Sequence, residues 1–412
     1  MNSFHVKNNN KLFDTPVIFL IVDFNAGNSI THHLNYVLTY AKFINDEGFD
    51  VKLVLPKYTP LREIKSVNFD IRQVLASRNY RFDRSYLIFL KIYKILLKLL
   101  GKHRIRFESI IDSSRDNLYI KKAYNSIQKI VKEEDREFCL FFPTVDFMAI
   151  DYIEKFLSKD KSSDYIYLRF NAISEEVRSY NSKSVLEILD SLLLLYPERI
   201  VIGCETKKVM EILRNRSKDY KYLFFAPPPA IKRGSVENKD KIFGFLGGAK
   251  KRKGFLEIPQ IIMRIDAVTN DAKYLVQQSP FNWEGYKTTL DRLKKIKTVK
   301  LLFDVLSNKD FFHSISQCSF IVAPYDGNSY GSGGSSIFYY AADFYVPTIT
   351  YEDLPFSEEI IEFECGIIIN KNLDFDEKMF SKLSRQKLTN GLVKYNEYRN
   401  VNNRLFLNLT IR

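Results

Sequence analysis

A glycine-rich stretch between residues 320 and 350 carries residue types that bind anions through the protein backbone. It begins with a short apolar run, Phe320–Ala323, which is typical of a buried strand in a parallel sheet. A loop with four glycines follows, and the pattern from Ser335 to Phe344 predicts a helix. Bare amides at a strand end, with the dipole of the next helix behind them, favour a phosphate or another anion. The alternative is an ordinary helix start with Ser332 or Ser335 as the N-cap residue.

A second glycine turn carries a cluster of cations. The apolar run of residues 241–246 predicts a strand, and two glycines and four basic residues come after it. They are Gly247, Gly248, Lys250, Lys251, Arg252 and Lys253. Ligands of open α/β sheets bind at the carboxyl ends of strands, so this turn and the loop of residues 324–335 can reach one diphosphate. Fixed cations there would stabilise the charge on a leaving diphosphate, and no aspartate pair for a metal is evident. The alternative is a solvated basic loop.

A third turn lies near the start of the chain. Residues 17–22 predict a buried strand, and Gly27 and Asn28 form a turn before the first helix. One of the adjacent histidines, His32 or His33, could bond a sugar hydroxyl or act as a base over a cleft. The alternative is that at least one of them is a plain helix-surface residue.

The segment from residue 81 to 107 is both apolar and basic. Lys91, Lys94 and Lys98 share one helical face, while leucine, isoleucine, phenylalanine and tyrosine fill the other faces. A basic amphipathic helix over 86–100 suits the surface of an anionic bilayer. The alternative is a buried helix whose lysines extend to water.

Composition narrows the classes of partner. The net charge of +13 suits nucleic acid, an anionic membrane surface or phosphorylated substrates. No nucleic-acid-binding signature is visible, so we expect no nucleic-acid partner. The four cysteines lie far apart without zinc-ligand spacing, which predicts reduced thiols in a cytoplasmic protein. We expect neither a signal peptide nor a membrane-spanning helix. The abundance of asparagine, isoleucine, lysine and tyrosine suggests a bacterial gene of low GC content.

Strands and helices alternate through both halves of the chain, which predicts an α/β protein with two doubly wound domains. A stretch rich in proline and charge, at about 226–240, is the best linker. We therefore expect an N-terminal domain over 1–230 and a C-terminal domain over 240–385. A helical segment over 386–412 would follow and could return to the N-terminal domain.

The second half resembles a known family. The sequence GFLGGAKKRKG is similar to the first nucleotide-binding turn of retaining glycosyltransferases with the GT-B fold (family 4-like, group 1), and Lys253–Gly254 matches its lysine-glycine pair. The segments LLFDVLSNKDFFHSISQCSFIVAPY and SSIFYYAADFYVPTIT resemble the approach to the donor loop and the helix after it. Many members carry two glutamates there, and those places hold Ser332 and Tyr340. Ser332, Gly333 and Gly334 resemble the serine-glycine variant of some bacterial members.

The resemblance implies two Rossmann-like domains facing each other across a cleft, with the acceptor on the first and a nucleoside diphosphate sugar on the second. It implies transfer without a metal or other cofactor, and with retention. Lys253, His32 and Asp146 would take the catalytic roles, and Gly27, Asn28 and Arg169 would bind the acceptor. The donor would be bound by Gly247, Gly248, Lys250, Arg252, Tyr325, Tyr330, Ser332, Gly333, Gly334 and Ser335.

We therefore expect a hexosyltransferase of bacterial surface polysaccharide or glycolipid assembly, such as capsule or lipopolysaccharide. It would act on a saccharide or lipid-linked saccharide acceptor, in the cytoplasm or peripherally on the inner face of the cell membrane. Two alternatives remain. One is a sugar-nucleotide epimerase of the same fold, and the other is an inactive scaffold, which the missing glutamates favour.

Overall fold

A computed structural model describes residues 17–25, 33–56, 59, 69–75, 120–133, 136–159, 165–173, 183–216, 222–229, 241–278, 285–302 and 306–408. The predicted amphipathic helix over 86–100 lies outside these residues. So do most of the predicted linker and the turn residues Gly27, Asn28 and His32.

The first sheet has seven strands in the described part of the chain. They are β1 (Ile18–Val22), β2 (Asp50–Pro56), β3 (Asp70–Leu75), β4 (Phe138–Phe142), β5 (Tyr165–Phe170), β6 (Ile200–Cys204) and β7 (Tyr222–Phe224). Their order is β3-β2-β1-β4-β5-β6-β7, and β1 pairs in parallel with both β2 and β4. The central strands β1 and β4 read IFLIV and FCLFF and are buried at every position. Continuous apolar runs are expected where helices cover both faces of a parallel sheet.

Helices follow these strands along the chain. They are α1 (His33–Asp46), α2 (Phe147–Lys159), α3 (Val185–Leu195) and α4 (Lys207–Arg216), and residues 120–133 are also helical. Helix α3 begins with a capping box. The Ser184 hydroxyl accepts a hydrogen bond from the Glu187 amide, and the Glu187 carboxylate accepts one from the Ser184 amide. Two otherwise unsatisfied amides are satisfied in this way, which fixes where the helix starts.

The second sheet repeats the same plan. Its strands are β8 (Ile242–Phe245), β9 (Lys273–Gln277), β10 (Val299–Leu302), β11 (Phe320–Ala323), β12 (Thr348–Tyr351) and β13 (Gly366–Ile369). The order β10-β9-β8-β11-β12-β13 is the 3-2-1-4-5-6 order of doubly wound nucleotide-binding sheets. The strand order reverses between β8 and β11, which are paired in parallel. In such sheets ligands bind outside the carboxyl ends of the strands at this switch point.

The helices of the second half pack around this sheet. They are α5 (Ile258–Asp266), α6 (Tyr286–Lys294), α7 (Asn308–Gln317), α8 (Gly327–Tyr330), α9 (Ser336–Asp343), α10 (Ser357–Phe363) and α11 (Lys382–Asn408), with short 3₁₀ turns at Lys251–Lys253, Phe255–Glu257 and Glu377–Phe380. The apolar face of α5 joins the strands in one buried cluster. Within this cluster the Phe243 ring of β8 stacks on the Phe320 ring of β11, with 5.5 Å between the ring centres.

The chain divides into two compact units. Unit 1 comprises Met1–Phe170, Glu175–Gly203 and Leu405–Arg412, and unit 2 comprises Asn171–Ser174 and Cys204–Arg404. In this division the long continuous part of unit 2 begins at Cys204. The bounds expected from the sequence, at 230, 240 and 385, stay predictions.

A buried ion pair ties α11 into unit 2. Arg399 is fully buried, and its Nη1 lies 3.0 Å from Asp343 Oδ1. The same guanidinium donates to the Pro227 carbonyl oxygen from Nε at 3.0 Å and from Nη2 at 2.5 Å. The planar donors of arginine can serve a carboxylate and a carbonyl together, which lysine cannot do. Arg399 therefore joins α11, the end of α9 and the segment after β7.

Replacing Arg399 by methionine should destabilise the folded protein by about 3–5 kcal/mol, because Asp343 would lose the cation it faces in the core. The free energy of unfolding, measured by urea denaturation, checks this. Lys394→Met is the matched control, because it changes an exposed cation on the same helix and should cost little. Equal stability of the two variants would show that the pair contributes nothing.

Candidate functional site

Two loops meet at the switch point of the second sheet. One follows β8 and spans residues 247–254, and the other follows β11 and spans residues 324–335. Gly254 has a φ of 70° and packs so closely on the second loop that a Cβ atom there would overlap the Pro324 carbonyl oxygen. The Asp326 amide also donates to the Arg252 carbonyl oxygen at 3.1 Å. The two stretches predicted to share a ligand are therefore in direct contact.

Lys253 lies between these loops. Its Nζ donates to the Gly247 carbonyl oxygen at 2.8 Å and lies 5.4 Å from the centre of the Tyr325 ring. The side chain is partly buried, whereas Lys251 and Arg252 are exposed. The lysine of the predicted lysine-glycine pair thus points into the site, held by one backbone carbonyl and one aromatic face.

Burial changes the acid–base character of the cations. It lowers the pKa of Lys253 to about 7, with smaller contributions from the positive charges of Lys250 and Arg252. Burial, followed by the charge of Arg252, also lowers the pKa of Lys250. An amine with a pKa near 7 exists in both protonation states at neutral pH. An incoming anion would favour the charged state.

Two tyrosines form a wall of the site. Tyr325 is 2% exposed, and its ring lies 4.9 Å from the Tyr330 ring. Burial raises the pKa of Tyr325 well above its ordinary value and that of Tyr330 to about 12, so both phenols keep their protons. The Tyr330 hydroxyl donates to the Gly334 carbonyl oxygen at 3.1 Å. The wall can therefore offer O–H donors and an aromatic face.

Two buried hydroxyls at this wall, those of Tyr325 and Ser335, lie close to each other. Ser335 is 1% exposed and lies beside the hydroxyls of both Tyr325 and Tyr330. Neither the Ser335 hydroxyl nor the Tyr325 hydroxyl makes a normal hydrogen bond to a described residue. Ser335 is the N-cap residue of α9, yet its side chain makes no capping bond. Buried hydroxyls normally make well-formed hydrogen bonds, so these two are the least satisfied polar groups of the wall.

The amides of the first loop donate hydrogen bonds to the Gln277 side chain, which we did not predict as part of the site. The amides of Gly247 and Gly248 both donate to Gln277 Oε1, at 2.7 and 3.1 Å. The parallel pairing of β8 with β9 sets Phe245 opposite Val276, which places Gln277 beside the glycine turn. A polar residue at the carboxyl end of the neighbouring strand was the available signal for it in the sequence.

The groups of the serine-glycine run are largely engaged within unit 2. Ser332 Oγ accepts from the Ile173 amide at 2.9 Å and donates to the Ile173 carbonyl oxygen at 3.1 Å. The Gly334 amide donates to the Asn171 carbonyl oxygen at 3.2 Å, and Gly333 is buried between these contacts. The contacts hold the loop in place, and donor binding by Ser332, Gly333 and Gly334 stays a prediction.

Glu205 is a second residue that sequence reasoning missed. Its side chain is 2% exposed and packs so closely on Gly334 that a Cβ there would overlap the carboxylate. The charge of the Glu205 carboxylate also contributes, after burial, to the raised pKa of Tyr330. This is a buried carboxylate beside the predicted donor loop, at a place far from the loop in sequence.

Asp146, predicted as a catalytic residue, has a structural role in unit 1. Its Oδ1 accepts from the Met148 and Ala149 amides at 2.9 and 3.0 Å, and its Oδ2 accepts from the Asn25 side chain at 3.1 Å. Asp146 therefore caps the start of α2. Its role towards a substrate stays a prediction.

Arg169, predicted on the acceptor side, is fully buried in unit 1. It donates to the Pro143 carbonyl oxygen at 2.8 Å, and its guanidinium lies over the rings of Tyr36 and Tyr40. These contacts fix the side chain within the core of the unit. Acceptor binding by Arg169 stays a prediction, as do the roles of the residues outside the described ranges, Gly27, Asn28 and His32.

The described residues contain no group of three or more histidine, cysteine, aspartate or glutamate side chains that could hold a metal ion. Among the helices described, none is both long and apolar enough to cross a membrane. The free cysteines Cys139, Cys204, Cys318 and Cys365 are all buried.

Solved structures share the architecture of this chain. A glycosyltransferase from Rickettsia africae aligns over 97% of this chain and 98% of its own, with a TM-score of 0.60 and 9% identity. HepE from Anabaena, solved in complex with UDP, aligns over 95% and 99%, with a TM-score of 0.59 and 10% identity. An Escherichia coli trehalose-6-phosphate protein bound to UDP-2-fluoro glucose aligns over 96% and 99%, with a TM-score of 0.58 and 11% identity.

No protein-family model matches the sequence, and no curated protein matches it. At identities of 9–11% the structural likeness establishes the fold. The predicted GT-B fold, an α/β architecture with two Rossmann-like parallel sheets, is confirmed.

The lowered pKa of Lys253 predicts a pH dependence of stability. In the unfolded chain the amine keeps its ordinary pKa of 10.5, so between about pH 7 and 10 the unfolded state binds one more proton than the folded state. Stability from this group therefore rises with pH over that window and is lowest below about pH 7. Lys253→Met removes this titration, and its stability relative to the original protein should be greatest near pH 6 and smallest near pH 10.

Urea unfolding at a series of pH values measures that difference, with the exposed Lys251→Met as the control. A difference that does not change with pH would place the Lys253 amine in water.

Proposed function

We propose that this chain is a glycosyltransferase that moves a sugar from a nucleoside diphosphate sugar to a saccharide or lipid-linked saccharide acceptor. The observation that carries the proposal is the Lys253 amine, held between two glycine loops at the switch point of the second sheet. Around it lie an aromatic wall and two buried hydroxyls, of Tyr325 and Ser335, that make no hydrogen bond of normal geometry to a described residue. Cation, ring and hydroxyls together suit a nucleoside diphosphate group better than a neutral ligand.

The chemistry follows from the leaving group. As the bond between the anomeric carbon and the diphosphate oxygen breaks, negative charge collects on the diphosphate. A desolvated lysine and fixed amides stabilise that charge most where water is excluded. The acceptor oxygen bonds to the anomeric carbon, and its proton passes to the departing diphosphate. Lys253 supplies the charge, while the Tyr325 and Ser335 hydroxyls hold the phosphate oxygens or the sugar.

The structural relatives support a uridine nucleotide as the first one to try. HepE was solved with UDP, and the trehalose-6-phosphate protein was solved with UDP-2-fluoro glucose. We extend the nucleotide class to this chain as part of the proposal.

The finer assignments form part of the same proposal. We propose hexosyl transfer with retention and without a metal, in bacterial surface polysaccharide or glycolipid assembly, such as capsule or lipopolysaccharide. The enzyme would work in the cytoplasm, peripherally on the inner face of the membrane. The net charge of +13 supports an anionic, lipid-linked acceptor. Gly27, Asn28 and Arg169 are proposed to bind the acceptor, and His32 and Asp146 are proposed to act in catalysis with Lys253.

One observation favours an inactive scaffold as the second candidate. The places of the family's two glutamates hold Ser332 and Tyr340, and Ser332 is engaged with Ile173. A scaffold would keep the fold and lose transfer. An epimerase would act on the sugar nucleotide without any acceptor.

Turnover separates these candidates. The purified protein should release nucleoside diphosphate from at least one member of a panel of nucleotide sugars, and an acceptor should increase the rate. Lys253→Ala should lower turnover by roughly a hundredfold or more, because it removes the charge beside the leaving group. A panel in which no donor is hydrolysed and none raises the melting temperature would favour the scaffold.

Affinity for UDP should depend on pH through Lys253. Before the ligand binds, the amine has a pKa of about 7, lowered by burial and by Lys250 and Arg252, and a bound diphosphate would raise it. Binding then takes up a proton, so affinity should fall as pH rises above about 7. Lys253→Arg keeps its charge and should remove this dependence, while Lys253→Ala should bind roughly tenfold more weakly at about pH 6.5.

Calorimetric titration of UDP between about pH 6.5 and 9.5 makes the comparison. Parallel pH profiles of the original protein and the arginine variant would exclude Lys253 from the site.

A further inference from the structure

The two amides of the first glycine loop converge on one oxygen atom. Gln277 Oε1 accepts from the Gly247 amide at 2.7 Å and from the Gly248 amide at 3.1 Å. Gly247 and Gly248 have φ values of 107° and 84°, a backbone region that other residues rarely adopt. Successive amides aimed into one concavity form the kind of nest that binds anions. The turn therefore already has the form of an oxygen site.

The surroundings of this nest favour an anion over a neutral oxygen. Lys253 Nζ lies 2.8 Å from the Gly247 carbonyl oxygen, on the same residue that donates one of the two amides. Lys250 and Arg252 add positive charge near Lys253. A hydrogen bond from an amide to a charged oxygen is roughly twice as strong as one to a neutral oxygen. The carboxamide of Gln277 is thus a weaker occupant than a phosphate would be.

The residue type at position 277 suits a temporary occupant. An apolar side chain would leave two partly buried amides unsatisfied whenever the ligand is absent. A glutamate would fill the nest with a permanent negative charge and repel a second anion. Glutamine satisfies both amides before the ligand arrives and carries no charge that opposes a phosphate.

We propose that the position held by Gln277 Oε1 is the binding position of a phosphate oxygen of the diphosphate, and that Gln277 is a resident competitor which the ligand displaces. This inference rests on the proposed function, and it specifies that the Gly247 and Gly248 amides bind one oxygen of the phosphate. Gln277 therefore influences the affinity for the diphosphate group and takes no part in the transfer reaction.

Two substitutions with opposite expected signs test the proposal. Gln277→Met keeps the length of the side chain and removes the acceptor, so UDP and inorganic pyrophosphate should bind about three- to tenfold more tightly. Gln277→Glu should weaken both ligands by roughly tenfold or more at about pH 8, because its carboxylate would hold the nest and repel the phosphates. Gln386→Ala, on the exposed face of α11, is the control and should leave both affinities unchanged.

Damage to the loop would weaken binding in both variants, so only opposite signs support displacement. A direct measurement accompanies the affinities. With glycine labelled by ¹⁵N, the Gly247 and Gly248 amide signals of the original protein should move when pyrophosphate is added. In the free Gln277→Met variant the same two signals should already differ from those of the free original protein.

The outcomes separate this inference from the proposed function. If UDP binds the original protein, but Gln277→Met binds it equally or more weakly and the two glycine signals stay in place, the displacement proposal is wrong and the proposed function stands. If neither ligand binds the original protein or Gln277→Met, both proposals are wrong.

Discussion

The close approach of Gly254 to Pro324 is the constraint on which the candidate site depends. A side chain at position 254 would overlap the Pro324 carbonyl oxygen, and the positive φ of Gly254 disfavours any other residue as well. The missing side chain lets the loop after β8 lie directly against the loop after β11. The Asp326 amide then reaches the Arg252 carbonyl oxygen, which fixes the short 3₁₀ turn that carries Lys253. The absence of a side chain at position 254 thus positions the lysine beside it.

The electrostatics of the site follow from this packing. Pressing the two loops together shields the Lys253 amine from much of the surrounding water and places it over the Tyr325 ring, with Lys250 and Arg252 nearby. Desolvation and like charges both disfavour the ammonium form, so the site on its own carries less positive charge than its sequence suggests. The full charge would return when an anion enters. A basic cluster of this kind binds anions without requiring a buried lysine to stay fully charged at all times.

Much of the fold could be predicted from the sequence, because strands buried on both faces read as unbroken apolar runs. Phe320–Ala323 is an example that the apolar pattern predicts with the observed bounds. The same pattern misses strand Asp70–Leu75, which lies at the end of the sheet order and mixes charged residues with apolar ones. The pattern also predicts a loop where the short helix Gly327–Tyr330 forms. That helix starts after Asp326, whose amide donates to the Arg252 carbonyl oxygen of the other loop, and such a long-range contact cannot be read from the local sequence.

The candidate site, like the fold, could be predicted from the sequence only in part. Glycines and lysines next to strand ends identified Gly247, Gly248 and Lys253, because their types alone indicate anion binding. Gln277 and Glu205 could not be found in that way. Their places beside the loops follow from strand register and from long-range packing, which a single sequence does not specify.

The polar groups of the site differ in whether the chain itself satisfies them, and this difference bears on what the site is for. The amides of Gly247 and Gly248 and the Lys253 amine all have partners within the chain. The buried hydroxyls of Tyr325 and Ser335 lie beside each other, but neither makes a hydrogen bond of normal geometry to a described residue. Together with a lysine whose charge depends on its surroundings, these two hydroxyls are the groups of the site that would gain most from a polar ligand.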